Sequence, residues 1–560
     1  MNIQFSGAAT GVTGSCHMIT TDKHKFLLDC GQFQGGKEQE KQNFMPFPFA
    51  VDQIEFVVLS HAHIDHCGRL PLLVKRGFRG KIYCTDATAD LLVVMLKDSA
   101  YIHEKEAEWQ NRKNLRAGVD PVEPLYTIKD AEEALKLVSP VLYDQLIEIN
   151  GQIKIVFNDA GHILGSAITE LWVEEEGKST KLVYSGDLGV KDRPILRDPT
   201  MIKSADYLIL ESTYGNRLHP ANATSIEQLL EIVVKTTRRG GTVVIPAFAV
   251  GRTQELLFEF NRFYEEGTKY KSDLEKLMVY VDSPMATTAT EVFKRNAQVF
   301  DEETKDYILR GDMPLDFKNL KFTRTSEESK ALNFDRTPKV IISASGMCDA
   351  GRIRHHLKHN LWDAKSSVVF VGYQAEGTLG RAILDGLKEV KLFGETIKVN
   401  AEIYNLEGFS GHADQAGLLS WLGGFKAKPK EIFLVHGEET AKVEFARKIK
   451  EVYGYDTTII RDYSTYELET GELVTAEGIA GDSMDYEQAD EFVKRMEDVH
   501  KELESVMYQS KLLAGKKLSA ERISELSNIL ISLEKDTVNL GATIADGDRA
   551  GEQPKEQPAE

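Results

Sequence analysis

The sequence predicts an α/β protein: a layered body of sheet and helix, then a doubly wound parallel-sheet region, then mixed elements again. Three observations carry this. Up to about residue 205, the short apolar runs FLLDC, FVVLS, KIYC and LVYSGD alternate with polar turns and helical stretches, the pattern of a layered β-sandwich with helices. From about 206 to 395, YLILES, TVVIPAF, LMVYVDSP, KVIISASG and SVVFVGY are each followed by a helical segment, which is the alternation that builds a parallel sheet. From 396 to 481 strands and helices mix again, and EIFLVHGEE is a buried strand that ends on a histidine.

Within the alternating stretch, Thr224 and Glu227 predict a capping box ahead of Ile226, Leu229, Leu230 and Val233, with Gly240 and Gly241 ending that helix. Beyond 482, Phe492, Met496, Val499, Leu503 and Val506 recur at helical spacing, as do Ile523, Leu526, Leu530 and Leu533. Two amphipathic helices are expected over 482–545, packing on the body or across a homodimer interface. Residues 546–560 combine Pro, Gln and Glu with almost nothing apolar, so a disordered tail is expected.

A chain of 560 residues at 42% hydrophobic can bury several cores. Its start has no basic region leading into an apolar core, and no run of eighteen apolar residues follows, so neither secretion nor a membrane span is expected. Five scattered cysteines without CxxC spacing do not form a disulfide framework, and reduced thiols in a cytoplasm are expected. A net charge of −19 argues against non-specific polyanion binding by the whole surface. A nucleic acid must therefore find a local basic groove.

The chemistry concentrates in LSHAHIDHCGRLP, where His61, His63, Asp65 and His66 crowd one turn directly after an apolar strand-like run. Burying three imidazoles and a carboxylate without a partner is costly, whereas ligands alternating within six residues can reach two adjacent cations. Asp29 in FLLDCG, His162 in DAGHILGSA and Asp187 in LVYSGDLG occupy similar strand ends beside glycine. Together with the HxHxDH turn they complete a two-metal ligand set, and Asp187 is the candidate bridging carboxylate.

HAHIDH, the GHILGSA histidine and the SGD aspartate resemble, in order, the ligand motifs of the metallo-β-lactamase superfamily. The resemblance covers the chain to about residue 480 and implies an αββα sandwich. It also implies two zinc ions, one on His61, His63 and His162 and one on Asp65, His66 and a late histidine, with Asp187 and a hydroxide between them. Asp29 would orient ligands or the nucleophile. ESTYG at 211–215, EGFSGHAD at 407–414 and LVHGEE at 434–439 look like the signatures of the β-CASP nucleases, whose extra α/β domain is inserted into the sandwich. PAFAVGRTQEL, VDSPMA, SASGMCDAGR and GYQAEGTLGRAI agree, the last two looking closer to the endonuclease subunit of the cleavage and polyadenylation specificity factor than to RNase J.

That resemblance implies hydrolysis of single-stranded RNA. The late zinc ligand is then His436, where DNA-directed members have valine. His412 is the expected general acid, held as imidazolium by Glu211, and Asp65 joins Asp29 near the reacting atoms. Ser345, Gly346, Gly377 and Thr378, at strand ends of the insert, together with Arg252 and Arg381, are candidates for the RNA path. His355 and His356 are expected to be helix residues rather than ligands. Two other readings share these ligands, a two-metal hydrolase of a small ester or thioester and a nuclease for single-stranded DNA. Endonuclease and 5′ exonuclease action are both compatible with the sequence.

Overall fold

The computed structural model describes residues 1–475 except 221, 266–268, 375–376 and 462. The helices expected over 482–545 and the tail at 546–560 lie outside the described residues.

An eight-stranded sheet runs in the order Glu472–Thr475, Ser464–Glu467, Asn2–Phe5, His17–Thr20, Lys25–Leu28, Phe56–Val58, Lys81–Thr85, Val138–Val141. It is antiparallel from Ser464–Glu467 to Lys25–Leu28 and parallel from there on. A seven-stranded sheet runs Thr458–Ile459, Glu431–Val435, Tyr207–Glu211, Lys178–Tyr184, Ala167–Glu175, Ile153–Asp159, Ile147–Asn150. Alternation along these strands decides the layers. Ile3, Phe5, Ile19, Phe26 and Leu28 of the first sheet bury against Ile155, Phe157, Leu171, Leu182 and Phe433 of the second. The intervening residues face outward, where Leu27, Val57 and Ile82 are covered by Leu70, Leu73, Leu91 and Leu92. On the other side Val183, Leu208 and Leu434 are covered by Leu418, Trp421, Phe445 and Ile449. The result is a helix–sheet–sheet–helix sandwich.

The six-stranded third sheet is parallel throughout, in the order Leu320–Phe322, Met278–Val281, Lys339–Ser343, Val243–Pro246, Ser367–Phe370, Glu402–Asn405. Helix residues cover both faces. Leu256, Phe260 and Val292 pack with Val243, Ile245 and Val279, while Ile353, Leu357 and Ile383 pack with Val244, Val368 and Phe370. This is the doubly wound domain that the alternation predicts.

Three expectations need correction. The YLILES run is a strand of the sandwich, paired in parallel with Lys178–Tyr184 and Glu431–Val435, so the parallel sheet starts after it and not at 206. All five residues of that strand are buried, and a strand buried on both faces reads the same in either sheet. The parallel sheet also runs past 395, since Glu402–Asn405 is its edge strand. The helix expected to be capped at Thr224 spans Asn222–Arg238, which puts Thr224 in its first turn; Gly240 beyond its end does take a left-handed φ of +81°. The insertion itself is simple: the chain leaves the sandwich after Glu211 and returns on the adjacent strand, where Glu211 is in register with Val435. That register sets Glu211 beside the strand end that carries His436.

Candidate metal centre

The site forms where strand ends and loops of the sandwich converge. His63 precedes the short helix Ile64–Cys67 that carries Asp65 and His66, His162 follows Ile153–Asp159, Asp187 follows Lys178–Tyr184, and His436 follows Glu431–Val435. The loops bearing His162 and Asp187 touch by backbone: a Cβ at Gly189 would lie 1.8 Å from the Gly161 carbonyl oxygen, so only glycine fits there.

Nδ1 of His63 lies 3.2 Å from Nε2 of His61 and 3.1 Å from Nε2 of His162, and Asp187 Oδ2 lies 3.5 and 3.6 Å from those two Nε2 atoms. A second group joins Nε2 of His66 to Nε2 of His436 at 3.1 Å, with Asp65 Oδ2 at 3.8 and 3.5 Å from them. Asp187 Oδ2 is also 3.3 Å from His66 Nε2 and so stands between the groups.

The outer nitrogens decide which atoms are lone pairs. His66 Nδ1 donates to Asp29 Oδ2 at 2.7 Å and His162 Nδ1 donates to the Gly411 carbonyl at 3.0 Å, because both partners only accept. Ser60 Oγ gives its proton to Asp29 Oδ2, so it accepts from His61 Nδ1 at 3.0 Å. Thr213 Oγ1 donates to the His436 carbonyl and accepts from His436 Nδ1, again at 3.0 Å. With those protons committed, Nε2 of His66 and His436 meet lone pair to lone pair, an arrangement that requires a cation, whether a proton or a metal ion.

Both carboxylate oxygens of Asp187 are buried without a hydrogen-bond donor. Burial is the leading influence on it and opposes charge, yet the surrounding His436 and His66 hold its carboxyl well below the usual range. Burial drives His61 and His162 well below an ordinary histidine, and His63 to about 4, so these rings stay neutral as ligands must. His66 goes the other way: burial opposes its charge, but Asp187 and Asp65 raise it well above normal. A buried carboxylate with unused lone pairs, set among clusters of imidazole and carboxylate donors, fits the binding of divalent metal.

Asp29 is fully buried and not among the donors facing the two groups. Its Oδ1 accepts from the Ser60 amide at 2.7 Å, and its Oδ2 takes Ser60, His66 and Tyr184, each at 2.7 Å. Glu211, also fully buried, accepts from the Leu188 and Thr213 amides and lies 3.4 Å from His412 Nδ1. His412 is itself 3.8 Å from Asp187. Burial works against its charge, but Glu211 and Asp187 raise it to about 9.

The candidates for an RNA path are less uniform. Arg381 lines a cleft of about 380 Å³ with Tyr214, Arg217, His219, Tyr373 and Gln374, next to the loop of Ser410 and His412. Thr378 caps the helix Leu379–Leu384, and Gly377 before it has φ +79°. Ser345 and Ala350 bond within the loop after Lys339–Ser343, and Gly346 in that loop packs against Phe248. Arg252 is buried in an ion pair with Glu255. His356 is a helix residue bonded to Asp282 and Asn333. Sequence reasoning missed Ser60, Tyr184, Thr213 and the Gly411 carbonyl. Each sits inside a motif already singled out, but a hydroxyl or carbonyl that orients a ligand carries no spacing signal of its own. Among the described residues no helix is long and apolar enough to cross a membrane.

Comparison with known proteins bears on this geometry. A metallo-beta-lactamase superfamily domain matches residues 18–206, a Beta-Casp domain matches 253–383, and a Zn-dependent metallo-hydrolase RNA specificity domain matches 396–460. The chain is 38% identical over 461 residues to Ribonuclease TTHA0252 of Thermus thermophilus, covering 82% of this chain and 98% of that protein. It is 34% identical over 472 residues to transcription termination factor FttA of Methanocaldococcus jannaschii, covering 82% and 70%. An RNase J-like protein of the same organism is 33% identical over 453 residues, covering 80% and 95%.

Proposed function

The chain belongs to the β-CASP family of metallo-β-lactamase-fold ribonucleases, metal-dependent hydrolases, and we propose that it uses two zinc ions to cut single-stranded RNA. The observation that carries the two-metal reading is Asp187, buried, without a hydrogen-bond donor, and within 3.6 Å of both histidine groups. His61, His63 and His162 would hold one ion, Asp65, His66 and His436 the other, and Asp187 both. The preponderance of imidazole favours zinc over harder cations. When bound, such ions supply Lewis acidity, making water a nucleophile near neutral pH and offsetting charge on a phosphate oxygen.

The protein's own groups then do the rest. Asp29 fixes the ring of His66, as the Gly411 carbonyl and Thr213 fix those of His162 and His436. With Nδ1 facing Glu211, His412 has Nε2 left to give a proton to the departing ribose oxygen. The cleft on the insert side, with Arg217 and Arg381 in its walls, suits one strand of polyanion. Five buried free cysteines suit a reducing compartment such as the cytoplasm.

The test is cleavage of end-labelled single-stranded RNA and matched DNA by the zinc-loaded protein, beside His63→Ala and His412→Ala. RNA cutting abolished by the first and strongly reduced by the second is the expected result, and internal or terminal products decide the mode. A protein with zinc bound that cuts neither polymer overturns the reading.

A further inference from the structure

Phe248 is exposed where its neighbours are not. Its side is 42% exposed, whereas Ala247, Ala249 and Val250 in the same loop are at 1, 6 and 5%. The loop follows Val243–Pro246, which lies inside the parallel sheet between Lys339–Ser343 and Ser367–Phe370. The next strand, Met278–Val281, lies on one side of it and the later Ser367–Phe370 on the other, so strand order reverses here. In open α/β sheets ligands bind outside the carboxyl ends of the strands at such a reversal.

The loops after the two flanking strands meet the ring by backbone. A Cβ built on Gly346 would lie 3.2 to 3.3 Å from three consecutive carbons of the Phe248 ring, and one on Gly372 would lie 3.8 Å from it. Three near-equal distances place that Cβ over the ring's face rather than its edge. The loop of Gly346 thus carries glycine where a side chain would crowd the ring, the loop of Gly372 comes within ordinary van der Waals range of it, and among the described residues no aromatic ring stacks on it. A single exposed phenyl ring is ordinary on a protein surface; this one is set apart by its place, at the strand-order reversal where open α/β sheets bind ligands and beside the cleft that Gly372 lines.

The same loop reaches the metal centre. A Cβ on Gly251 would be 3.3 Å from Cγ2 of Ile163, the neighbour of His162, and a Cβ on Gly411 would be 3.8 Å from Nη2 of Arg252. The Phe248 carbonyl accepts from both the amide and the hydroxyl of Thr253, which holds the loop's shape. Gly372, beside the ring, also lines the cleft that runs to Ser410 and Tyr214.

We propose that Phe248 is a stacking platform for one unpaired nucleobase of the RNA substrate, placing the strand so that its phosphate enters the metal centre. This rests on the ribonuclease reading and adds to it the group that holds a base. A phenyl face accepts any base, so the platform sets position and single-strandedness rather than sequence. A base still paired in a duplex has its faces taken by stacking neighbours.

The test compares the zinc-loaded full chain with Phe248→Ala, Phe248→Leu and Phe248→Trp on single-stranded RNAs carrying one abasic nucleotide, moved along the strand. The wild type is expected to lose about tenfold or more in kcat/KM when the abasic nucleotide reaches one position, a typical effect of losing one stacked base. Phe248→Ala should lose a similar factor on intact RNA, lose nothing further at that position, and be rescued by Phe248→Trp but not by Phe248→Leu. A binding arm with 2-aminopurine at the sensitive position, or at each position in turn if nothing is cut, reads stacking as fluorescence quenching that Phe248→Ala abolishes. Wild-type cutting with Phe248→Ala equal to it on every substrate overturns the platform alone. Absence of cutting by the wild type overturns the ribonuclease reading, and the quenching arm then still decides whether Phe248 stacks on a base.

Discussion

Asp29 Oδ2 stands 2.7 Å from Nδ1 of His66, and that same oxygen accepts Tyr184 from the opposite sheet of the sandwich. A ligand of the proposed second metal is therefore aimed by a carboxylate that both sheets hold in place. Replacing such an orienting carboxylate typically costs 10- to 100-fold in metal affinity or activity. Asp29→Asn is expected to weaken one of two zinc ions by about that factor while leaving the other, measured by competition with a graded chelator. Tyr184→Phe removes only one of the donors on that oxygen and should cost less. Equal loss of both ions in Asp29→Asn would break the link between this carboxylate and His66.

The pH profile should report the pair of His412 and Glu211. An acid must be protonated to act, and the neighbouring carboxylates raise His412 to about 9 against the effect of burial. Activity should therefore fall on the alkaline side as His412 loses its proton. Bound metal beside Asp187 would offset part of the raising charge, so the fall is expected below 9. Glu211→Gln removes the principal raising charge and should move that limb to lower pH. His412→Ala should lose the limb along with about 10²- to 10⁴-fold in kcat, the usual contribution of a positioned acid. An alkaline limb that is unchanged in Glu211→Gln would assign it to another group.

The candidate ligand cluster is legible because metal chemistry constrains residue type and spacing within one short turn: His61, His63, Asp65 and His66 stand together in sequence, and the structure brings them together with His162, Asp187 and His436. His436 and Glu211 are far apart in sequence and came through motif resemblance, yet the structure gives the physical reason they meet, since their strands are neighbours in register. What stayed hidden depends on three-dimensional partners. Tyr184 reads as strand filler until Asp29 is seen beneath its hydroxyl, and Tyr207–Glu211 reads as a parallel-domain strand until its sheet is known. Whether Arg252 meets a phosphate or a carboxylate does not show in sequence, and the structure pairs it with Glu255.

The parallel-sheet domain has its own polar core, where fully buried Asp282 accepts from Ser329 at 2.6 Å, His356 at 2.5 Å and Arg352 at 2.6 Å. Burial opposes charge on Asp282, but hydrogen bonds from His356, Ser329 and Thr323 hold its carboxyl well below the normal range. Removing His356 takes one donor from Asp282 while Arg352, Ser329 and Thr323 remain, and a lost hydrogen bond to a buried charged group costs about 1.5–3 kcal/mol. His356→Ala should lower the denaturant midpoint accordingly while the metal content stays that of the wild type. Loss of metal at full folding would instead tie this cluster to the metal centre.

Arg381 and Arg252 should separate on salt dependence. Arg381 is 41% exposed on the cleft wall, and its i,i+4 pair with Asp385 is a weak, solvent-screened contact that leaves the guanidinium accessible. A cation that meets one phosphate releases about one counterion, so Arg381→Ala is expected to weaken RNA binding uniformly across sequences and to reduce the slope of log affinity against log salt by about one. Arg252 shares Glu255 with Arg193, whose other nitrogen reaches the Gly408 and Ser410 carbonyls ahead of His412. Arg252→Ala leaves Glu255 with one buried partner and disturbs the support of the His412 loop, so it should reduce kcat and stability while the salt slope stays that of the wild type. The discriminating measurement is RNA affinity over a salt series for both variants: a reduced slope in Arg252→Ala would return that residue to the RNA path, and an unchanged slope in Arg381→Ala would remove Arg381 from it.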